Sequence, residues 1–187
     1  MALSKPSSLH ALIIGINNYP DSNLPTLKAA ISDADAFQRY LIEDLRVPAQ
    51  NIRNLRGKNA TRSSILSAFQ SLRLDMDILY GDAIVIYYAG HGATAPTPPG
   101  WNIREGKIQM ILPSDFGPFV HGILDRTIGT LLESIASSRG DNIVSAKNSF
   151  ESGSFMTNIF RLLFLIVVSP DQVHVATVQK NRHAGSR

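Results

Sequence analysis

His91 stands between two glycines, directly after the apolar run Ala83-Ile-Val-Ile-Tyr-Tyr-Ala89. Imidazole is the side chain whose ordinary pKa, about 6.5, lets it take up and release protons near neutral pH. The run before it does not alternate, as expected for a strand covered on both faces in the middle of an α/β sheet. Chemistry in open α/β sheets collects outside the carboxyl ends of the strands. A histidine there suits a general base. A histidine fixed in a strand-end turn by a hydrogen bond to a neighbouring loop suits the same residues. Gly90 and Gly92 would permit a sharp exit and a close substrate approach.

A base needs a nucleophile. The chain has no cysteine, which excludes a thiolate, a disulfide and cysteine-ligated zinc. Ser145, Ser149, Ser152 and Ser154 supply hydroxyls further along, without a nucleophile-elbow sequence or a recognisable acid partner. Gly15 is not part of G-x-G-x-x-G, and no Walker A pattern occurs, so dinucleotide and nucleoside-triphosphate sites lack their usual signals. That disfavours a plain nucleotide or signalling domain.

The elements that must position His91 follow in order. His10 to Asn17 reads as a first buried strand, and the loop to Pro25 as turn-forming, with Pro20 and Pro25 restricting it. Ser32 with Asp35 gives the spacing of a capping box, and Ala34, Phe37, Leu41 and Leu45 then share an apolar face. Asp33 and Asp35 suit the positive end of that helix. Asn51 to Arg56 reads as a flanking strand. Thr61 can cap a second helix with inward Ile65, Leu66, Phe69 and Leu72. The central strand should end at Ala89, parallel to and beside the first. Trp101 follows an irregular loop, and Lys107 to Leu112 reads as another strand. Asp125 can cap a third helix, with Ile128, Leu131, Leu132 and Ile135 inward and Gly140 just past its end. Residues 144–158, rich in Ser and Asn, read as irregular, and residues 162–168 as a strand because Ile166, Val167 and Val168 are β-branched.

Length and charge bound the rest. The 187 residues suit one domain, and a net charge of +3 from 18 basic and 15 acidic residues gives no nucleic-acid surface. Met1 to Ser8 reads as a loose polar lead-in, not a signal peptide. The apolar stretch Ile159 to Val168 contains Arg161 and is far below the roughly 20 residues that span a bilayer. These readings lead to expectations of no membrane partner and a cytoplasmic location.

Several segments resemble the caspase-like cysteine peptidases (peptidase C14), particularly fungal metacaspases. They are Ala11-Leu-Ile-Ile-Gly-Ile-Asn-Asn-Tyr19, Ile31-Ser-Asp-Ala-Asp-Ala36, Tyr87-Tyr-Ala-Gly-His-Gly92, Met110-Ile-Leu-Pro-Ser-Asp115, and Gly122 to Thr127 with Gly140 to Ile143. The resemblance implies an α/β, caspase-like three-layer fold with a mainly parallel central sheet, truncated or altered after the third main helix. Residues 1–8 would be a lead-in, 9–143 the incomplete catalytic large-subunit region, and 144–187 a divergent tail with one strand at 162–168. Gln172 to Thr177 weakly resembles a downstream strand of that fold.

In the family, a Cys–His dyad attacks the scissile carbonyl and passes through an acyl-enzyme. The resemblance assigns the base to His91 and a basic-residue pocket to Asp33, since metacaspases cleave after Arg or Lys. It places the nucleophile in a segment like Asp-Cys-Cys-His-Ser-Gly, at or just beyond Asp141. Here the resemblance stops at Ile143. The expected product is therefore a cysteine-endopeptidase domain by descent, inactive for want of its cysteine. The alternative is a regulatory or peptide-binding pseudoenzyme that pairs with an active, full-length paralogue. No cofactor is required on this reading. Calcium is raised by the family resemblance, without ligands that can be assigned. Intact relatives would take peptide or protein substrates.

Overall fold

The computed structural model describes residues 8–97, 107–151, 162–169 and 172–179. The lead-in before Ser8 and Trp101 lie outside the described residues. The continuous apolar runs form the middle of one sheet. β1 (Leu9–Gly15) and β3 (Ala83–Pro96) pair in parallel, Leu9 beside Ala83 and Gly15 beside Ala89. β2 (Ile52–Arg56) pairs in parallel with the other side of β1, at the sheet's edge. β4 (Lys107–Ile111) and the short β5 (Ile123–Leu124) lie off the main path. β6 (Ile143–Glu151) runs parallel to β3. β7 (Leu162–Ser169) and β8 (Gln172–Gln179) follow antiparallel, giving the order β2-β1-β3-β6-β7-β8. The sheet thus has a parallel centre of four strands with antiparallel additions.

Among the described residues, three α-helices cover it. Alternation along β1 and β3 sends Leu12, Ile14, Ile84, Ile86 and Tyr88 to one face. There they meet Ile65, Phe69 and Leu72 of α2 (Arg62–Leu74) and Leu132 and Ile135 of α3 (Asp125–Arg139). The opposite face presents Ala11, Ile13, Tyr87 and Ala89 to Ala30, Ala34 and Leu41 of α1 (Ala30–Glu43). This is a three-layer α/β/α arrangement. Such interdigitated burial is the dominant stabilising contribution, roughly 1.5–3 kcal/mol for each fully buried large apolar side chain.

Local signals at two helix ends act as expected. Thr61 Oγ1 accepts from the Ser64 N–H at 3.1 Å, capping α2. Gly140 ends α3 at φ +90°, where a Cβ would be strained and would come within 3.0 Å of Gly81 N.

Five expectations need correction. α3 begins at Asp125 itself, with Leu124 as its N-cap and no side-chain cap bond, so Asp125 does not cap it. α1 begins at Ala30, so Ser32 lies inside it and its hydroxyl donates to the Ala29 carbonyl. The cap comes from elsewhere in the chain: Asn17 Oδ1 accepts the Ile31 N–H at 2.9 Å. Leu45 falls beyond α1 and is 42% exposed. The central strand continues past Ala89, because β4 pairs antiparallel with its second half, from Gly92–Ile111 to Pro96–Lys107. Finally, 144–151 is strand rather than irregular chain. β6 bonds through its backbone to β3 on one side and β7 on the other, and that pairing does not depend on apolar side chains. The expected division between 143 and 144 therefore falls inside β6, while residues 152–158 lie outside the described residues.

Candidate active site around His91

His91 lies where β3 changes neighbours. β1 stays beside β3 as far as Gly15–Ala89, and Ile16 N–H adds one more bond to the Ala89 carbonyl at 2.9 Å. β4 takes over from Gly92 onward. Between them, the His91 backbone needs other partners, since the residue is only 2% exposed and a buried unpaired amide is costly. Its N–H donates to the Tyr19 hydroxyl at 2.8 Å. Its carbonyl accepts from Leu112 N–H at 3.0 Å and lies 2.7 Å from the Tyr88 hydroxyl.

The imidazole shares the α1 face with Tyr87 and Ala89 by alternation. Its Nε2 is 2.7 Å from the Pro25 carbonyl oxygen in the loop between β1 and α1. A carbonyl only accepts, so this bond fixes the hydrogen on Nε2. In the neutral ring, Nδ1 is then the basic nitrogen. The Tyr19 ring lies against the imidazole, with centroids 5.0 Å apart and planes tilted by 55°.

The two tyrosines are a pair. Tyr88 Oη is 2.8 Å from the Leu112 carbonyl as well as close to that of His91, so its single hydrogen serves both. Tyr19 Oη sits 3.5 Å from Tyr88 Oη. Burial pushes the Tyr19 phenol up to about 12, and burial drives the Tyr88 phenol well above its ordinary value. Both remain protonated across the neutral range.

This pair also explains Gly90. A Cβ there would lie 2.5 Å from Tyr88 Oη and 2.7 Å from Tyr19 Oη. The expectation of a sharp glycine exit is corrected: Gly90 lies within β3 and makes room for two hydroxyls.

The other residues singled out from sequence separate in space. Asp33 occupies the first turn of α1, half-buried, and α1 starts at the carboxyl edge of β1. Asp35 pairs with Arg56 Nε at 2.9 Å, tying α1 to β2. Ser145 is buried beside Ile86, five positions before His91 along β3. At 3.3 Å per residue that is roughly 16 Å away, beyond any proton transfer. On β6, Ser149 holds the register position beside Gly90 and Phe150 that beside His91. Ser152 and Ser154 lie outside the described residues. No group of three or more His, Asp or Glu among the described residues is placed to hold a metal ion, so calcium finds no donor set there. Among the described residues, no helix is long and apolar enough to cross a membrane.

Sequence reasoning singled out His91 as a candidate without the residues that hold it. Asn17, Tyr19 and Pro25 lie 66 to 74 positions away in the chain, and only a Tyr in a Pro-bounded loop hinted at them.

Comparison with known proteins bears on the fold. The chain matches 21% of aligned residues in a Geobacter sulfurreducens protein of known structure, with a TM-score of 0.56, over 78% of this chain and 50% of that one. It also superposes on the Drosophila initiator caspase Dronc with a TM-score of 0.50 and 11% identity, over 75% of this chain and 54% of Dronc. At these identities the likeness concerns the fold, and the chain spans about half the length of each. No curated protein matches. The caspase-domain family model matches residues 8–158, past the point where the resemblance in sequence stops. The chain belongs to the caspase-domain peptidase family.

Proposed function

We propose that this chain is a peptidase-family domain that has kept the base and lost the nucleophile. The absence of cysteine from the sequence carries this reading. His91 has its tautomer fixed by Pro25, which suits a base that would take a proton on Nδ1. A base alone provides no acyl-enzyme route. Ser145 is too far along the sheet to substitute, and the register position directly beside His91 carries Phe150, which has no nucleophilic atom.

Intact relatives of the metacaspase type would cleave peptides after Arg or Lys. Asp33, at the carboxyl edge of the sheet, is the residue we assign to holding that basic side chain, in addition to its place at the α1 N-terminus. The same arrangement supports a second reading, a peptide-binding or regulatory pseudoenzyme that pairs with an active paralogue. We assign the chain to the cytoplasm.

The test is hydrolysis of Arg- and Lys-terminated fluorogenic peptides, with calcium and a reductant present. Wild type should not exceed His91→Ala. Binding of the same peptides by calorimetry, lost in Asp33→Ala, would favour the pseudoenzyme reading.

A further inference from the structure

We propose that Tyr19 is a positioning residue for His91, supplying the backbone acceptor that the sheet cannot. Where β1 has ended and β4 has not begun, the His91 N–H faces a gap in the sheet. A buried strand amide in such a gap would be left without a partner, at a cost close to that of a lost hydrogen bond. The Tyr19 hydroxyl fills it at 2.8 Å, and the Tyr19 ring packs on the imidazole that the same residue carries. One side chain therefore fixes both the main chain and the ring plane of His91.

The loop that carries Tyr19 is itself held. Asn17 accepts Leu27 N–H on its carbonyl at 2.8 Å and Ile31 N–H on its side chain at 2.9 Å. These bonds close the loop over His91 and bring the Pro25 carbonyl to Nε2. Donor order runs consistently through the group. Tyr88 gives its hydrogen to the carbonyls of His91 and Leu112, His91 N–H gives to Tyr19, and Tyr19 is left to donate toward Tyr88 Oη. Tyr88 thus secures the His91 carbonyl, Tyr19 its amide and ring, and Gly90 the space for both hydroxyls.

The functional consequence rests on reading His91 as the retained base, but the placement of His91 does not. It is tested on the full ¹⁵N-labelled chain by amide exchange and by ring-nitrogen spectra of His91. Tyr19→Phe keeps the ring and removes the acceptor. The His91 amide should then exchange about tenfold faster relative to that of Ala89, as expected for one lost hydrogen bond. The Nε2–H tautomer, fixed by the Pro25 carbonyl, should be kept, which separates loss of the amide bond from general disruption of the site. Tyr88→Phe, which leaves Tyr19 in place, should keep the His91 amide protected. Referring exchange to Ala89 removes any general loss of stability. A second arm avoids the deletion: 3-fluorotyrosine at position 19 weakens the acceptor and should move the His91 amide proton upfield, whereas at position 88 it should not. Unchanged His91 amide exchange in Tyr19→Phe, or an unchanged amide shift with 3-fluorotyrosine at position 19, would overturn the proposal. Peptide turnover plays no part in this readout, so failure of the inactive-peptidase reading would appear separately.

Discussion

Replacing Gly90 by alanine tests the packing beneath His91 with a single methyl group. The backbone there is not in the left-handed region, so alanine meets no conformational strain of its own. The obstacle is steric. The new Cβ would lie 2.5 Å from Tyr88 Oη, 2.7 Å from Tyr88 Cζ and 2.7 Å from Tyr19 Oη. Tyrosine tips can usually swing away, but these are anchored by bonds to His91 and Leu112 inside the protein. Overpacking of this kind costs about 1–3 kcal/mol. Displacing the hydroxyls loses hydrogen bonds whose net worth is about 1 kcal/mol each. A loss of ~2–4 kcal/mol follows, which for a chain of this size lowers Tm by about 5–15 °C. Gly129→Ala is the matching control. It lies in α3 with nothing within 4 Å of its new Cβ. Alanine there should stabilise by about 0.5–1 kcal/mol, through helix propensity. Urea melts of both variants provide the comparison. If Gly90→Ala fell within about 0.5 kcal/mol of wild type, as an ordinary surface change does, the anchored tyrosine pair would be wrong.

Thr61→Ala should cost about 1 kcal/mol by removing the α2 cap, read from the same melts. Burial depresses His10, against the opposing pull of Asp82 and Asp75, with Arg53 adding to the depression and Asp77 opposing it. The unfolded chain therefore binds the proton more readily. Stability should be full above pH ~6.5 and decline as pH falls from there through the lower folded pKa, and His10→Gln should flatten that part of the profile in pH-dependent melts. At the alkaline end, Tyr19 titrates at about 12 in the folded protein. Stability should therefore fall as pH rises above ~10 toward the folded value, read from alkaline urea melts.

The sheet's centre was legible because a strand buried on both faces must be continuously apolar, and Ala83 to Ala89 is. The α2 and α3 faces were legible through helical spacing, and the ends at Thr61 and Gly140 through residues whose local chemistry suffices. Elsewhere the deciding partner was distant in sequence. The start of α1 is set by Asn17 from the preceding loop, so the local Ser32–Asp35 spacing misled. β3 outran Ala89 because β4 paired with it, and β6 formed from polar residues because backbone pairing on two sides overrode composition. At the site, the histidine announced itself through its type and its neighbours. Tyr19 did not, because a hydroxyl that stands in for a missing strand is visible only once the sheet is assembled.

On the proposed reading, the chain holds a positioned base and no nucleophile set beside it to form an acyl-enzyme. The most direct test of this reading is intact-mass spectrometry after incubation with an Arg-terminated peptide ester and acid quench, with His91→Ala in parallel. The unmodified mass is expected, or only adduct equal in both proteins from incidental lysine acylation. An acyl adduct that requires His91, mapped to any one residue, would contradict it and identify the nucleophile.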